Sequence, residues 1–258
     1  MLIAFCGDTH GHIHKMYQKL LNWEARTGLE LDAVVQVGDF GIFNQVGDFS
    51  EYWKGQLRAP IPTYVIVGNH EDYSLINQWL QEPDKMPDLY LIPDGGIVTL
   101  NKNGTDEEQV SIAGVWGNYS PRSWEDPERV HFNRKTNASP RIAAHIDRDA
   151  VERLLKIQST VDVLVTHDSA QRTLPTKFLL AMEPLIQKLL GLEKNEQPGG
   201  CPGFDQLLLH FKPKRYFFGH LHYGSHHISE TTKSICLQAI DYAKHEEWFC
   251  VVQFPEEN

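Results

Sequence analysis

The chain has 258 residues, 41% of them hydrophobic, and a formal net charge of −10 from 24 basic and 34 acidic side chains. That length and apolar content suffice for one large domain with a buried core, so residues 1–258 are read as a single domain. The acidic balance argues against a broad electrostatic grip on nucleic acid, which needs a basic face to displace counterions, and no strong nucleic-acid-binding surface is expected.

The first apolar run, Leu2–Cys6, is too short for a secretory signal and has no basic leader, and no later stretch approaches the roughly 20 residues that span a bilayer. The expectation is a cytoplasmic protein without membrane association. Cys6, Cys201, Cys236 and Cys250 lack paired spacing and are expected as reduced thiols. After the first run, Met16, Tyr17, Leu20, Leu21 and Trp23 recur at helical spacing over His14–Arg26, which stops at Gly28 before a second run, Ala33–Val37. This is a βαβ pattern. A third run, Thr63–Val67, precedes a helix predicted over Asp72–Gln81 and closed by Pro83. Gly96–Leu100 and Val110–Val115 read as strands joined through an Asn103-Gly104 turn.

From Asn118 to Pro140 no period is visible, and an irregular segment near the functional site is expected. Asp147–Ile157 is helical with Asp147 as cap. The fourth run is Val161–Val165, and Thr173–Leu190 and Phe204–Phe211 have helical spacing on either side of a polar loop, Gly191–Gly203. The last run is Arg215–Phe218, followed by two closing strands, Ser234–Ile240 and Trp248–Phe254. The alternation of apolar runs and helices implies an α/β core.

Each of the five runs ends in a phrase rich in metal ligands: Gly7-Asp8-Thr9-His10-Gly11, Gly38-Asp39, Gly68-Asn69-His70-Glu71, Thr166-His167-Asp168 and Gly219-His220-Leu221-His222. Runs of this kind fit strands buried on both faces, and in open α/β sheets sites form beyond the carboxyl ends of strands. The phrases therefore locate a two-metal hydrolytic site. Asp8 with His10, and His220 with His222, are i,i+2 pairs that point to one side in extended chain, so each pair can chelate one ion. Asp39 suits a bridging role, Asn69 offers a carbonyl oxygen and His167 an imidazole nitrogen. Two divalent ions bring four positive charges against the two carboxylates Asp8 and Asp39, leaving a surplus that attracts phosphate and keeps the ions acidic enough to form a bridging hydroxide as nucleophile. His70, beside Asn69, is the candidate general acid, with Glu71 and Asp72 expected to orient its ring and raise its pKa.

The order Asp-x-His, Gly-Asp, Gly-Asn-His-Glu, lone His and Gly-His-x-His resembles the signature of the calcineurin-like metallophosphoesterase superfamily, over residues 7–222. The resemblance implies a four-layer α/β/β/α sandwich of two mixed sheets and a dinuclear Mn, Fe or Zn site at one edge. It assigns Asp8, His10, Asp39 and His222 to one ion, and Asp39, Asn69, His167 and His220 to the other. Gly38-Asp39 continues as Phe40-Gly41-Ile42-Phe43, unlike the acidic and arginine pair of phosphoprotein phosphatases. The middle of the chain is more similar to RNA lariat debranching enzymes, in the Gly-Asp-Phe phrase, the mid-chain hairpin, the basic segment Arg141–Arg148 and the stretch Gly203–His222. Eukaryotic debranching enzymes typically have Cys where this chain has Asp8, and they carry a long C-terminal extension, so a debranching-like core with another substrate is expected.

Arg122, Arg134, Arg141 and His145 are candidates for binding substrate phosphates, with Arg148 beside them, against the simpler reading of solvated charge. His131 is read as structural, Asp168 as a helix cap, Trp116 as core, Tyr119 as able to stack on a base, and His12, His14, His226 and His227 as exposed. The functional reading is a metal-dependent phosphoesterase, acting on phosphodiesters by a metal-bridging hydroxide, with a nucleotide or short RNA among its substrates. A phosphomonoesterase of small molecules or nucleotides is the alternative among enzymes, and a non-catalytic protein-binding scaffold the alternative of another class.

Overall fold

In chain order the elements are β1 (Leu2–Cys6), α1 (Ile13–Thr27), β2 (Ala33–Gln36), α2 (Phe49–Trp53), β3 (Thr63–Val65), α3 (Tyr73–Gln81), β4 (Leu89–Leu91), β5 (Gly96–Asn101) and β6 (Gln109–Val115). They continue with α4 (Pro121–Trp124), α5 (Pro127–Thr136), α6 (Pro140–Ala143), α7 (Arg148–Leu155), β7 (Val163–Thr166), α8 (Pro202–Phe211), β8 (Arg215–Phe218), β9 (Ser225–Ile228), β10 (Lys233–Cys236) and β11 (Phe249–Gln253). The computed structural model from which they are taken describes residues 1–43, 48–102, 109–173, 200–229, 231–241 and 247–255. The expected Asn103-Gly104 turn and nearly all of the expected helix Thr173–Leu190, with the first part of the loop after it, lie outside the described residues.

Two mixed sheets form. The first has the order β11-β1-β2-β3-β4, parallel throughout except for β11, which runs against β1 with Phe5 opposite Cys250. The second has the order β5-β6-β7-β8-β10-β9, with a parallel centre and antiparallel edges at β5 and β9. The sheets meet face to face: Phe5 of β1 stacks on Phe217 of β8 with ring centroids 3.9 Å apart and planes 6° from parallel.

Strict alternation explains why these strands read as unbroken apolar runs. On β7, Val163 and Val165 join the core between the sheets while Leu164 faces the helices; on β8, Phe217 points inward and Tyr216 and Phe218 outward. The outer face of the second sheet is covered by α7 (Ala150, Val151, Leu154) and α8 (Phe204, Leu207, Leu208, Phe211). On the first sheet, α1 contributes Ile13, Met16, Tyr17 and Leu20, the i, i+3, i+4, i+7 stripe, and terminates at Gly28 with φ 71°, its N–H donating to the Glu24 carbonyl. With α3 supplying Leu75, Ile76 and Trp79, the layers are helix, sheet, sheet, helix, as the resemblance implied.

The sequence and the structure part company in three places. Short elements β4, β9 and α2, of three to five residues, carry too few positions to show a period. The two closing strands belong to different sheets, and the first stops at Cys236 because the next residues leave the sheet: the Gln238 N–H donates to Glu247 and the Ile240 N–H to the Asp8 carbonyl. Residues 118–140 are not irregular but hold α4, α5 and the start of α6. Their signals are caps instead of a stripe: Asp126 accepts from the Arg129 N–H, Pro127 opens α5, and Asn137 closes it with φ 53°.

This helical segment is anchored by Arg134, one of the candidate substrate ligands, which instead pairs with the buried Asp94 and donates to the carbonyls of Ala143 (3.0 Å) and His145 (2.9 Å). Its guanidinium also lies over the rings of Tyr73 and Trp116. Arg134 is thus a structural cation. Arg134→Ala, which leaves Asp94 buried and unpaired, is expected to destabilise the protein by about 3–5 kcal/mol, read as a lower urea midpoint; an unchanged midpoint with impaired substrate binding would return Arg134 to the substrate.

Candidate metal centre

All eight residues expected at the centre converge. Asp8, Asp39 and Asn69 follow β1, β2 and β3 of the first sheet, and His167, His220 and His222 follow β7 and β8 of the second, so the centre sits at the carboxyl ends of both. The Asp8 and Asp39 carboxylates and the imidazoles of His10 and His222 each offer an atom within 4.8 Å of all the others. His10 Nε2 and His222 Nε2 face each other at 3.0 Å, and His222 Nε2 lies 3.1 Å from Asp8 Oδ2. On the other side, His167 Nε2 is 2.8 Å from Asn69 Oδ1 and 3.4 Å from Asp39 Oδ1, and the rings of His167 and His220 are 5.1 Å apart. This separates His220 from His222. The two do not point to one side as an extended i,i+2 pair would, since both residues have left-handed backbones (φ 62° and 50°).

His10 (46°) and Asp39 (53°) are left-handed as well. Among the described residues seven non-glycines have positive φ, and four of them are these candidate ligands. Backbone in this sparsely populated region persists only where its surroundings enforce it. The neighbouring glycines show how close those surroundings come: a Cβ at Gly38 would strike the His167 ring, one at Gly68 the Asp39 N and Oδ1, and one at Gly219 the Asp8 carboxylate. In these three phrases the glycine is the surface on which another phrase's ligand rests.

A divalent cation fits this donor set. Asp39 Oδ2 is buried without a hydrogen-bond partner, a costly state for a carboxylate oxygen unless a cation compensates it. Its sister Oδ1 accepts the His70 N–H at 2.9 Å and faces His167, so the two oxygens address the two halves of the cluster. His167 Nδ1 lies 3.0 Å from the Val37 carbonyl, which can only accept; Nδ1 therefore carries the proton and Nε2 points to the ligand side.

Burial would push the Asp39 carboxyl up, but His167 beside it holds it well below the usual carboxylate range; against the same burial, Asp39 lifts His167 to about 10. Burial lowers His10 and His220, whereas the hydrogen bond to Asp8 raises His222.

His70 is 60% exposed at the rim, with Nε2 4.0 Å from Asp39 Oδ2 and its ring 5.5 Å from that of His10. Neither neighbour orients it, contrary to expectation. Glu71 is buried and accepts from the N–H groups of Phe40, Gly41 and Ile42, and Asp72 caps α3 through the Ser74 N–H. Among the described residues Asp168 caps no helix: its Oδ2 accepts the Tyr119 N–H at 2.8 Å and ties residues 118–119 to the centre. His145 is not a cation at neutral pH, since burial and then Arg141, Arg129 and Arg134 pull it down to about 4, and its Nδ1 meets Ser123 Oγ at 2.7 Å. Arg122 and Arg141 are exposed on α4 and α6, and Arg148 begins α7 facing Glu152. Trp116 is core, its Nε1–H donating to Ile92; half-buried Tyr119 sits edge-on to Trp124; and His131 Nε2 is 3.0 Å from Asp147, the cap of α7. His12, His14, His226 and His227 are exposed, and none of the four cysteines is in a disulfide, as expected.

Comparison with known proteins follows this geometry. The profile of the calcineurin-like phosphoesterase family matches residues 1–224. The chain is similar to the lariat debranching enzyme of Saccharomyces cerevisiae, with 26% identity over 251 residues, covering 85% of this chain and 56% of that protein. It is likewise similar to lariat debranching enzyme A of Xenopus laevis, with 26% identity over 242 residues, covering 86% and 43%. The chain thus spans about half the length of these relatives. The crystal structure of phosphopantetheinyl hydrolase from Mycobacterium tuberculosis shares the fold, with TM-score 0.52 and 15% identity over 98% of this chain and 96% of that one.

Gly68→Ala is expected to weaken divalent-cation binding by about tenfold to a hundredfold by displacing Asp39, as measured by competition with a chelator. Because His167 is raised to about 10 and must lose its proton to bind a cation, binding releases a proton at neutral pH and affinity climbs with pH until about 10. Calorimetry in buffers of different ionisation enthalpy reads that proton; an identical heat in both would refute the coupling.

Proposed function

This chain belongs to the calcineurin-like phosphoesterase family, and from that premise we propose that it is a metal-dependent phosphodiesterase with a dinuclear centre. The observation that carries the reading is Asp39, whose two buried oxygens face two sets of ligands, one of them unpartnered by any hydrogen bond. Asp8, His10, Asp39 and His222 would hold one ion, and Asp39, Asn69, His167 and His220 the other. Since the ligands come from both sheets, the chain works as one domain.

Two divalent ions supply, when bound, an activated water and the positive charge that a phosphoryl group needs as it is attacked. The protein's own part is placement. Neutral His and Asn donors keep that charge from being quenched, and Asp8 receives the His220 N–H, which sets the last phrase against the first. His70 stands outside both ligand sets, with its backbone pinned to Asp39 and its ring open to the rim, where it can protonate a departing oxygen. The open rim suits a leaving group larger than water.

Similarity to the debranching enzymes favours diesters, with nucleotides or short RNA as the substrate class. Mn, Fe or Zn would serve as the two divalent ions, and the cytoplasm is the proposed location. Among the described residues no helix is long and apolar enough to cross a membrane. Arg122 and Arg141 are the cations left to meet flanking phosphates.

Steady-state rates of the Mn-loaded protein on bis-aryl and mono-aryl phosphates, and on 2′–5′ and 3′–5′ linked dinucleotides, test the proposal. At least about tenfold higher kcat/KM for the diester is expected, and Asp39→Asn should reduce it by about a hundredfold or more. Preference for the monoester would favour a small-molecule phosphatase. A protein that holds no metal and is indifferent to Asp39→Asn would be a binding scaffold.

A further inference from the structure

Glu71 has no task in the chemistry above, yet it is a buried carboxylate with no cation hydrogen-bonded to it. Its Oε1 accepts from the N–H groups of Phe40 (2.6 Å) and Gly41 (3.4 Å), and its Oε2 from that of Ile42 (3.3 Å). Three successive N–H groups turned onto one anion form a nest, the backbone concavity that elsewhere binds phosphate. Here the positive φ values of Gly38 (102°), Asp39 (53°) and Gly41 (99°) shape it, and the chain fills it with its own side chain from 31 residues away.

The same segment is held from the other side. The Asp39 carbonyl accepts the N–H groups of Thr9 (3.1 Å) and His10 (2.8 Å), the Phe40 carbonyl accepts that of Gly11 (3.1 Å), and the Ile42 carbonyl accepts that of Asp72 (2.9 Å). Residues 39–42 are thus clamped between the first phrase and the third. Glu71 is the side chain that closes the clamp, and what it immobilises is the left-handed Asp39.

We propose that Glu71 is the positioning residue of the dinuclear centre: by filling the nest of residues 40–42 it holds Asp39 in the conformation that aims one carboxylate oxygen at each ion, without itself touching metal or substrate. The proposal rests on the metal-centre reading, with Asp39 as the shared ligand. Occupancy of the centre then depends on the two acceptor oxygens at position 71, whatever the substrate.

Glu71→Gln tests this, because an amide offers one acceptor oxygen and turns an NH2 group against backbone N–H. The expected result is Mn binding weakened by about tenfold to a hundredfold in chelator competition, with kcat and KM restored once Mn is saturating, and a diminished exchange-coupled signal in electron paramagnetic resonance at limiting Mn. A lower melting temperature with wild-type Mn affinity would overturn the proposal and leave Glu71 a stabilising residue only. If Glu71→Gln does not fold, Glu71→Asp decides: it keeps the charge but shortens the reach, and wild-type Mn affinity there overturns the proposal while weakened affinity supports it. Failure of the underlying reading is distinguishable, since then the unsubstituted protein binds no Mn or Asp39→Asn binds it as tightly.

Discussion

A carboxylate that is 1% exposed, on a left-handed backbone, with one oxygen lacking any hydrogen bond, is an expensive thing to build. Asp39 is all three, and much of the structure can be understood as the means of keeping it there. Backbone strain and desolvation of this kind cost a few kcal/mol and survive only where the surroundings leave no alternative. Those surroundings are the N–H groups of Thr9 and His10 on one side, the Glu71-bound segment on the other, and the bare face of Gly68 beneath. A divalent cation held by these oxygens and imidazoles would turn the cost into a function.

The two-sheet architecture follows from the same requirement. One sheet alone offers ligands from a row of parallel strand ends; two sheets meeting at their carboxyl ends offer ligands from opposite sides. The Phe5 and Phe217 stack, three residues before Asp8 and three before His220, sets how closely those ends approach. Once the sheets are that close, the second, third and fifth phrases each need a glycine to admit another phrase's side chain. The repeated Gly-Asp, Gly-Asn and Gly-His pairs are packing devices as much as chemical ones, and they explain why the centre's residues sit on turns of unusual φ instead of on the strands themselves.

What lay plain in the sequence was whatever depends on local order: unbroken apolar runs, the stripe of α1, and ligand types placed after strands. What it misjudged depends on partners far along the chain. Glu71 and Asp72 look like attendants of His70 because they are adjacent, yet one reaches back to Phe40 and the other caps its own helix. Arg134 reads as a surface cation until Asp94, 40 residues away, is found against it. Residues 118–140 seemed structureless because α5 has no stripe to show; caps at Asp126 and Asn137, and not periodicity, define it. Asp168 was assigned to a helix end and instead receives the Tyr119 N–H, which no spacing rule anticipates.

The sequence by itself determined the family, the α/β class and which candidate ligands follow the strand ends, since ligand chemistry and strand burial are properties of residue type and order. Only the tertiary structure decided by what physical means those side chains are kept apart. His220 and His222, two apart, go to different halves because left-handed turns separate them, and Asp39 faces both because two sheets enclose it. It also decided which charged residues serve the scaffold: Arg134 and Glu71 are held by contacts 40 and 31 residues distant, and burial, which a sequence does not display, fixes what such a charge can do.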